Sequence, residues 1–213
     1  SQVANLIKNM KSFTGIDDLR INGVGIAVPG IVDSSNGVVV WAPNLVGWQD
    51  LPLRKLLRED FGIEKPIFVD DDRVASVLGE QWLGAARGSR HAVYIIVGTG
   101  IGAGILVDGK PYKGNVVAGA IGWMLLGEEF MDRTYDKGCL ESFASGPNIT
   151  LRAVEATRKG AETLMLDMVR GKADRITSEI VFEAARKGDK LALDIVKKTA
   201  RYLGIAISNI VSI

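Results

Sequence analysis

Four glycines fall within seven residues, Gly98-Thr99-Gly100-Ile101-Gly102-Ala103-Gly104, and their flanks constrain the fold more than any other feature of the chain. Before them, His91 to Val97 is almost wholly apolar and reads as a strand. After them, Ile105-Leu106-Val107 reads as strand again, Asp108-Gly109 as a turn, and Lys110-Pro111-Tyr112 as a further strand. Glycine allows backbone N–H groups to approach a phosphate closely. A P-loop would continue through Gly-Lys-Ser/Thr into a helix, and a dinucleotide-binding loop also opens a helix. This cluster opens a strand. It is a turn in a β-meander, and its glycines either cradle phosphate or are purely structural.

The rest of the chain sorts into strands first and helices later. Ile21, Val24, Ile26 and Val28 predict a strand over 20–28, broken by Pro29-Gly30. Asp33-Ser34-Ser35-Asn36-Gly37 predicts a turn, its Asn-Gly pair pointing to a type I′ hairpin, with 37–41 as the returning strand. Leu53, Leu56 and Leu57 predict one side of a helix over 51–61, ended by Gly62. Residues 66–69 form a short apolar strand, and a helix follows from 73 to about 83. Beyond Cys139 every segment reads as helix, with breaks near 145–147, 159–160, 170–171 and 187–189. This order predicts an α/β fold with a helical C-terminal third.

Composition narrows the function classes. Lys+Arg is 26 against Asp+Glu 25, a formal net charge of +1, so these residues carry no global positive field to hold nucleic acid. No apolar run reaches the roughly 18 residues that span a bilayer. Cys139 is the single cysteine, which excludes an internal disulfide and points to a reducing, cytoplasmic compartment. His91 is the single histidine, so a usual structural zinc site and Ser-His chemistry with a spare His are both out of reach. The chain starts at Ser1 on a helical pattern (Val3, Leu6, Ile7, Met10) and stops at Ile213 inside an apolar helix. It reads as a piece of a longer protein.

Two further segments can carry chemistry. Asp70-Asp71-Asp72 sits where a buried strand gives way to a helix, the crevice where open α/β sheets bind ligands. A carboxylate there can accept a hydroxyl proton as general base. Asp is equally a favoured N-cap, so one of the three serves as cap, while three in a row exceed what capping needs. The loop Trp41-Ala42-Pro43-Asn44-Leu45-Val46-Gly47-Trp48 offers two indoles and an amide. It suits either a carbohydrate site or plain loop packing.

In combination these segments resemble the ROK family of sugar kinases and sugar-responsive repressors. The residues that carry the resemblance run in register from about Ile21 to Pro147. They are Gly25-Ile26-Ala27-Val28-Pro29-Gly30, Ala42-Pro43-Asn44 with Gly47-Trp48, Asp71-Asp72 with Leu78-Gly79-Glu80, Gly98 to Gly104, Gly138-Cys139-Leu140-Glu141, and Ser145-Gly146-Pro147. The resemblance implies an actin-like ATPase, ribonuclease H-like fold of two lobes, incomplete here. It implies a sugar- and phosphate-binding region over 1–145 and a helical part of the second lobe over 146–213. It further implies that Asn44, Asp71, Asp72 and Glu141 bind sugar, with Asp72 as the catalytic base. Gly98, Thr99, Gly100 and Gly102 match the second phosphate-binding turn for ATP with Mg.

Departures from the family pattern shape the functional expectation. Its Glu-x-Gly-His motif reads Ala120-Ile121-Gly122-Trp123 here, which removes two sugar contacts and a zinc ligand. Of its zinc-binding cysteines only Cys139 stands, with Asp132 and Thr134 at two of the others. No structural zinc is expected. Trp123 either stacks on a sugar ring or fills the volume the metal would occupy, and the filling role is favoured. No Asp-x-Gly-Gly-Thr phosphate loop, no Gly-Gly adenosine loop and no helix-turn-helix occurs in these residues. The expectation is the sugar-sensing effector domain of a ROK-type repressor, catalytically weak or inactive, homo-oligomeric, and meeting DNA only through a helix-turn-helix outside this segment. The rival is an ATP-dependent sugar kinase, like glucokinase or an N-acetylhexosamine kinase, with a zinc-free site.

Overall fold

The computed structural model describes residues 5, 6, 9, 22–42, 45–114, 117–127 and 138–212. Of the predicted N-terminal helix only Asn5, Leu6 and Asn9 lie within these residues, and all three are helical. The chain divides into two units, one comprising 1–94 and 104–118, the other 95–103 and 119–213.

In the first unit, β1 (Val24–Val28) pairs in parallel with β5 (Ile67–Asp71), and the register sets Val24 beside Ile67 and Val28 beside Asp71. Between them runs an antiparallel meander of β2 (Ile31–Asp33), β3 (Val38–Trp41) and β4 (Gln49–Leu51). Helix α1 (Leu53–Glu59) follows, shorter than its apolar spacing predicts. Its Leu53 and Leu57 join Val28, Val32, Val39, Ile67 and Val69 in one buried cluster. Trp48 packs against that cluster, so this indole serves loop packing, while Trp41 is exposed.

The β2–β3 connection differs from the two-residue type I′ turn that Asn36-Gly37 suggests. It is a four-residue turn over 34–37, in which Gly37 has φ +69° and Asn36 does not enter the left-handed region. A type I′ turn needs both central residues there. The reason is the Asp33 carboxylate, which accepts from the backbone N–H of Ser35 and Asn36 and from Asn36 Nδ2 at 2.7 Å. Gly37 N–H closes the loop on Asp33 C=O at 2.8 Å. The Asn36 side chain and then its backbone N–H hold the Asp33 carboxyl below its ordinary range. The type I′ geometry occurs instead between β7 (Ile101–Val107) and β8 (Lys110–Pro111), where Asp108 and Gly109 have φ of 53° and 75°.

Helix α2 (Asp72–Leu83) starts directly from the end of β5 and buries Val74 and Val77. Strand β7 lies tight against it. A Cβ on Gly104 would stand 2.1 Å from the Arg73 carbonyl oxygen and 2.8 Å from Val77 Cβ. Strands β6 (Ala92–Val97), β7 and β8 follow in that order in a three-stranded sheet, so the glycine cluster does open a strand.

The second unit is helical beyond Cys139, with α3 (Cys139–Ala144), α4 (Gly146–Arg158), α5 (Leu164–Met168), α6 (Ser178–Arg186) and α7 (Lys190–Val211). Its breaks fall where the sequence predicts them, with Gly160, Gly171 and Gly188 all at positive φ. Asp189 links two helix starts, for Oδ1 accepts from Ala192 N and Oδ2 from Leu164 N, each at 2.8 Å. One core gathers Ile149, Met165, Ile176, Val181 and Ile195. A smaller one gathers Ile101, Ile121, Leu140, Ala144 and Ala206.

The close approach at Gly104 yields a direct expectation. Overpacking against backbone costs roughly 1–3 kcal/mol, so Gly104→Ala should lower the unfolding free energy by about that much in urea denaturation. A variant as stable as the wild type would show that β7 and α2 have room between them.

Candidate functional site

The candidate residues fall into two groups, one in each unit. In the first unit the parallel register of β1 and β5 carries three consecutive carboxylates to one strand end, and each has a different role. Asp71, 7% exposed, is the N-cap of α2. Its Oδ1 accepts from Val74 N at 2.9 Å and from Arg73 Nε at 3.2 Å. Arg73 also donates Nη2 to the Gly30 carbonyl at 3.4 Å. Asp70 Oδ1 accepts from Asp71 N at 3.0 Å, and its Oδ2 accepts from Lys113 Nζ. Asp72 is the first helical residue and is exposed. Its carboxylate makes no hydrogen bond or ion pair among the described residues, and a negative charge suits the start of a helix. The cap predicted among the three is therefore Asp71, and Asp72 is the carboxylate open to a ligand. Asn44 lies outside the described residues.

In the second unit the glycine turn is spanned by a carboxylate. Gly98 N–H donates to Gly100 C=O at 2.9 Å, and Gly98 C=O accepts from Gly146 N at the start of α4. Glu141, on α3, accepts from the Ile101 N–H through Oε2 at 2.8 Å. Side chains at the neighbouring glycines would collide with it. A Cβ on Gly100 would stand 2.8 Å from Glu141 Oε2, and one on Gly122 would stand 3.1 Å from it. Thus Gly98, Thr99, Gly100 and Glu141 come together, while Gly102 lies inside β7 and is buried.

Beside that turn a cleft of about 740 Å³ opens, lined among others by Gly98, Thr99, Gly146, Ser178 and Glu179. The Thr177 hydroxyl holds the Glu179 carboxyl below its ordinary range. A pocket of this size falls within the range of small-molecule sites.

Trp123 corrects one expectation. It sits on a 3₁₀ turn (Ile121–Trp123) and is 63% exposed, so it does not fill buried volume. In a 3₁₀ turn residues three apart share a side. Ile121 and Met124 take the packed side, against the cluster that contains Leu140, and the indole is left outward. Cys139 is buried, and no group of three His, Cys, Asp or Glu that could hold a metal ion forms among the described residues. Asp132 and Thr134 lie outside those residues. No helix among the described residues is long and apolar enough to cross a membrane.

Sequence reasoning misses Lys113, Arg73 and Ser34. Arg73 had a signal, since it follows the acidic run directly. Lys113 had none, because its partner lies 43 residues away.

The Glu141 tie gives a second expectation. Removing an acceptor from a partly buried N–H costs roughly 1–3 kcal/mol. Glu141→Ala should lose about that much stability, and Glu141→Gln, which keeps an acceptor oxygen, should lose less. Equal urea midpoints for the wild type and Glu141→Ala would refute the tie.

The profile of the ROK family matches residues 1–213. The glucokinase of Halalkalibacterium halodurans is 37% identical over 192 residues, covering 88% of this chain and 57% of that protein. The xylose repressor of Caldicellulosiruptor bescii is 33% identical over 197 residues, covering 91% of this chain and 48% of that protein. The chain thus spans about half the length of the curated relatives it matches. Among solved structures, a ROK family transcriptional regulator homologous to the E. coli Mlc protein superposes with a TM-score of 0.84 at 27% identity, over 98% of this chain and 51% of that one. A ROK family glucokinase from Streptomyces griseus, in complex with glucose and AMPPNP, superposes with a TM-score of 0.78 at 28% identity, over 99% of this chain and 68% of that one. These likenesses show the fold, which is mixed α/β and actin-like.

Proposed function

We propose that this chain, which belongs to the ROK family, is the sugar-sensing effector region of a ROK-type transcriptional repressor, catalytically weak or inactive. The observation that carries the reading is residue 123. The family's pattern has histidine there and glutamate at 120, and this chain has an exposed indole and a methyl group. Phosphoryl transfer depends on holding the attacking hydroxyl in place, and an error of about 1 Å can cost on the order of a hundredfold. Sensing needs binding alone. Asp72, open at the start of α2, accepts a hydroxyl of the sugar, with Asn44, Asp71 and Glu141 as further contacts and Trp123 as a stacking surface. Residues 1–145 form the sugar- and phosphate-binding region of this reading, and 146–213 a helical part of the second lobe. The protein works in the cytoplasm, as a homo-oligomer, and meets DNA through a helix-turn-helix outside these residues.

One observation favours a second reading, an ATP-dependent sugar kinase with a zinc-free site. The open Asp72 carboxylate and the glycine turn are parts that transfer of a γ-phosphoryl group would use, with Asp72 taking the hydroxyl proton and Gly98, Thr99 and Gly100 meeting phosphate, while the sequence match at Gly102 falls on a residue buried inside β7. ATP with Mg would supply that phosphoryl group.

Two measurements on the full-length protein separate the readings. Titration calorimetry with D-xylose and D-glucose should show binding that Asp72→Ala weakens by about tenfold or more, consistent with loss of a charged hydrogen bond. Coupled assay of ADP release should show little or no turnover, and rapid turnover abolished in Asp72→Asn would establish the kinase instead. Elemental analysis should find no zinc after dialysis against chelator. One zinc per chain would contradict the donor argument.

A further inference from the structure

Three adjacent carboxylates at one strand end repel one another unless cations are brought to them. Arg73 is committed to Asp71, so no cation adjacent in sequence pairs with Asp70 among the described residues. The compensating charge comes from Lys113, carried in on the residues after β8. Its Nζ donates to Asp70 Oδ2 and to Ser34 Oγ at 2.5 Å. Two acceptors on two elements, the end of β5 and the β2–β3 turn, fix the place of the ammonium. Both side chains are about two-thirds covered, with 35% of the lysine's and 28% of the aspartate's side chain exposed. The other charges on the elements packed here are assigned elsewhere. Asp33 binds its own turn, and Arg54 donates to the carbonyls of Ser34 and Ser35 at 2.7 Å. Lys55, Arg58, Glu59 and Lys110 are exposed.

We propose that Lys113 is a positioning residue for the Asp72 carboxylate. It neutralises Asp70 and pins it to the β2–β3 turn, so that the one uncompensated charge of the run is the one open to a ligand. The inference rests on the reading of Asp72 as a sugar contact. Without the ammonium, Asp70 becomes a like charge two residues from Asp72. It also becomes a competitor of Asp71 for Arg73, which loosens the cap from which Asp72 projects.

The test is titration calorimetry on the full-length protein with D-xylose and D-glucose, with thermal melting recorded beside it. Lys113→Met should weaken the sugar that the wild type binds by about tenfold, a shift of roughly 1.4 kcal/mol. Lys113→Arg, which keeps the charge, should stay within about threefold of wild type. Adding Asp70→Asn to Lys113→Met removes the orphaned carboxylate and should restore affinity to within about threefold. Wild-type affinity in Lys113→Met overturns the inference. So does a double variant as weak as the single one, which would make Lys113 a plain structural tether. A wild type that binds neither sugar, or an Asp72→Ala variant that binds as the wild type does, overturns the site reading and this inference with it. Binding lost in Asp72→Ala but kept in Lys113→Met overturns the role of Lys113 alone.

Discussion

Asp71 Oδ1 accepts the backbone N–H of Val74 and the Nε of Arg73, and this pair of bonds governs the first unit. It satisfies a helix start without a connecting loop, so α2 begins where β5 ends. Asp72 therefore projects from the first turn, and Val74 and Val77 turn inward. The ion pair is mostly covered, with 10% of the Asp71 and 15% of the Arg73 side chain exposed. Removing one partner from such a pair costs about 3–5 kcal/mol, because the other charge is left buried and alone. The same junction sets the approach of β7, since the Arg73 carbonyl lies where a Cβ of residue 104 would be.

The second unit uses a carboxylate in a comparable way. Glu141 reaches from α3 to the backbone of Ile101 and holds the exit of the glycine turn. The glycines around it are short of side chains for a packing reason. Gly100 and Gly122 leave room for the carboxylate, and Gly138 lets its own helix start approach the carbonyl of Gly122. The glycines of the 98–104 run are thus partly a consequence of close approach, at Gly100 to Glu141 and at Gly104 to Arg73. The turn and the 740 Å³ cleft beside it lie in the same unit.

The fold alone does not choose between sensing and phosphorylation, since relatives with both names share it and function resides in the site grafted on it. What separates the two chemistries is positioning, since phosphoryl transfer depends on holding the attacking hydroxyl in place and sensing needs binding alone.

By itself the sequence determined that strands come first and helices later, the helix breaks at Gly160, Gly171 and Gly188, the strand that follows the glycine cluster, and the family, but neither β2 nor β4. These are legible because they are set within a few residues, by backbone conformation and by apolar spacing. Tertiary structure decided which aspartate caps α2, how residues 34–37 turn, and where Trp123 points. Capping needed the register of β5 against β1, the turn needed the Asp33 carboxylate and Arg54, and the indole was turned outward because Ile121 and Met124 took the packed side. Lys113 reached Asp70 through the β7–β8 hairpin, across 43 residues of chain. A pairing of that kind depends on sheet register and hairpin geometry, which no short stretch of sequence encodes.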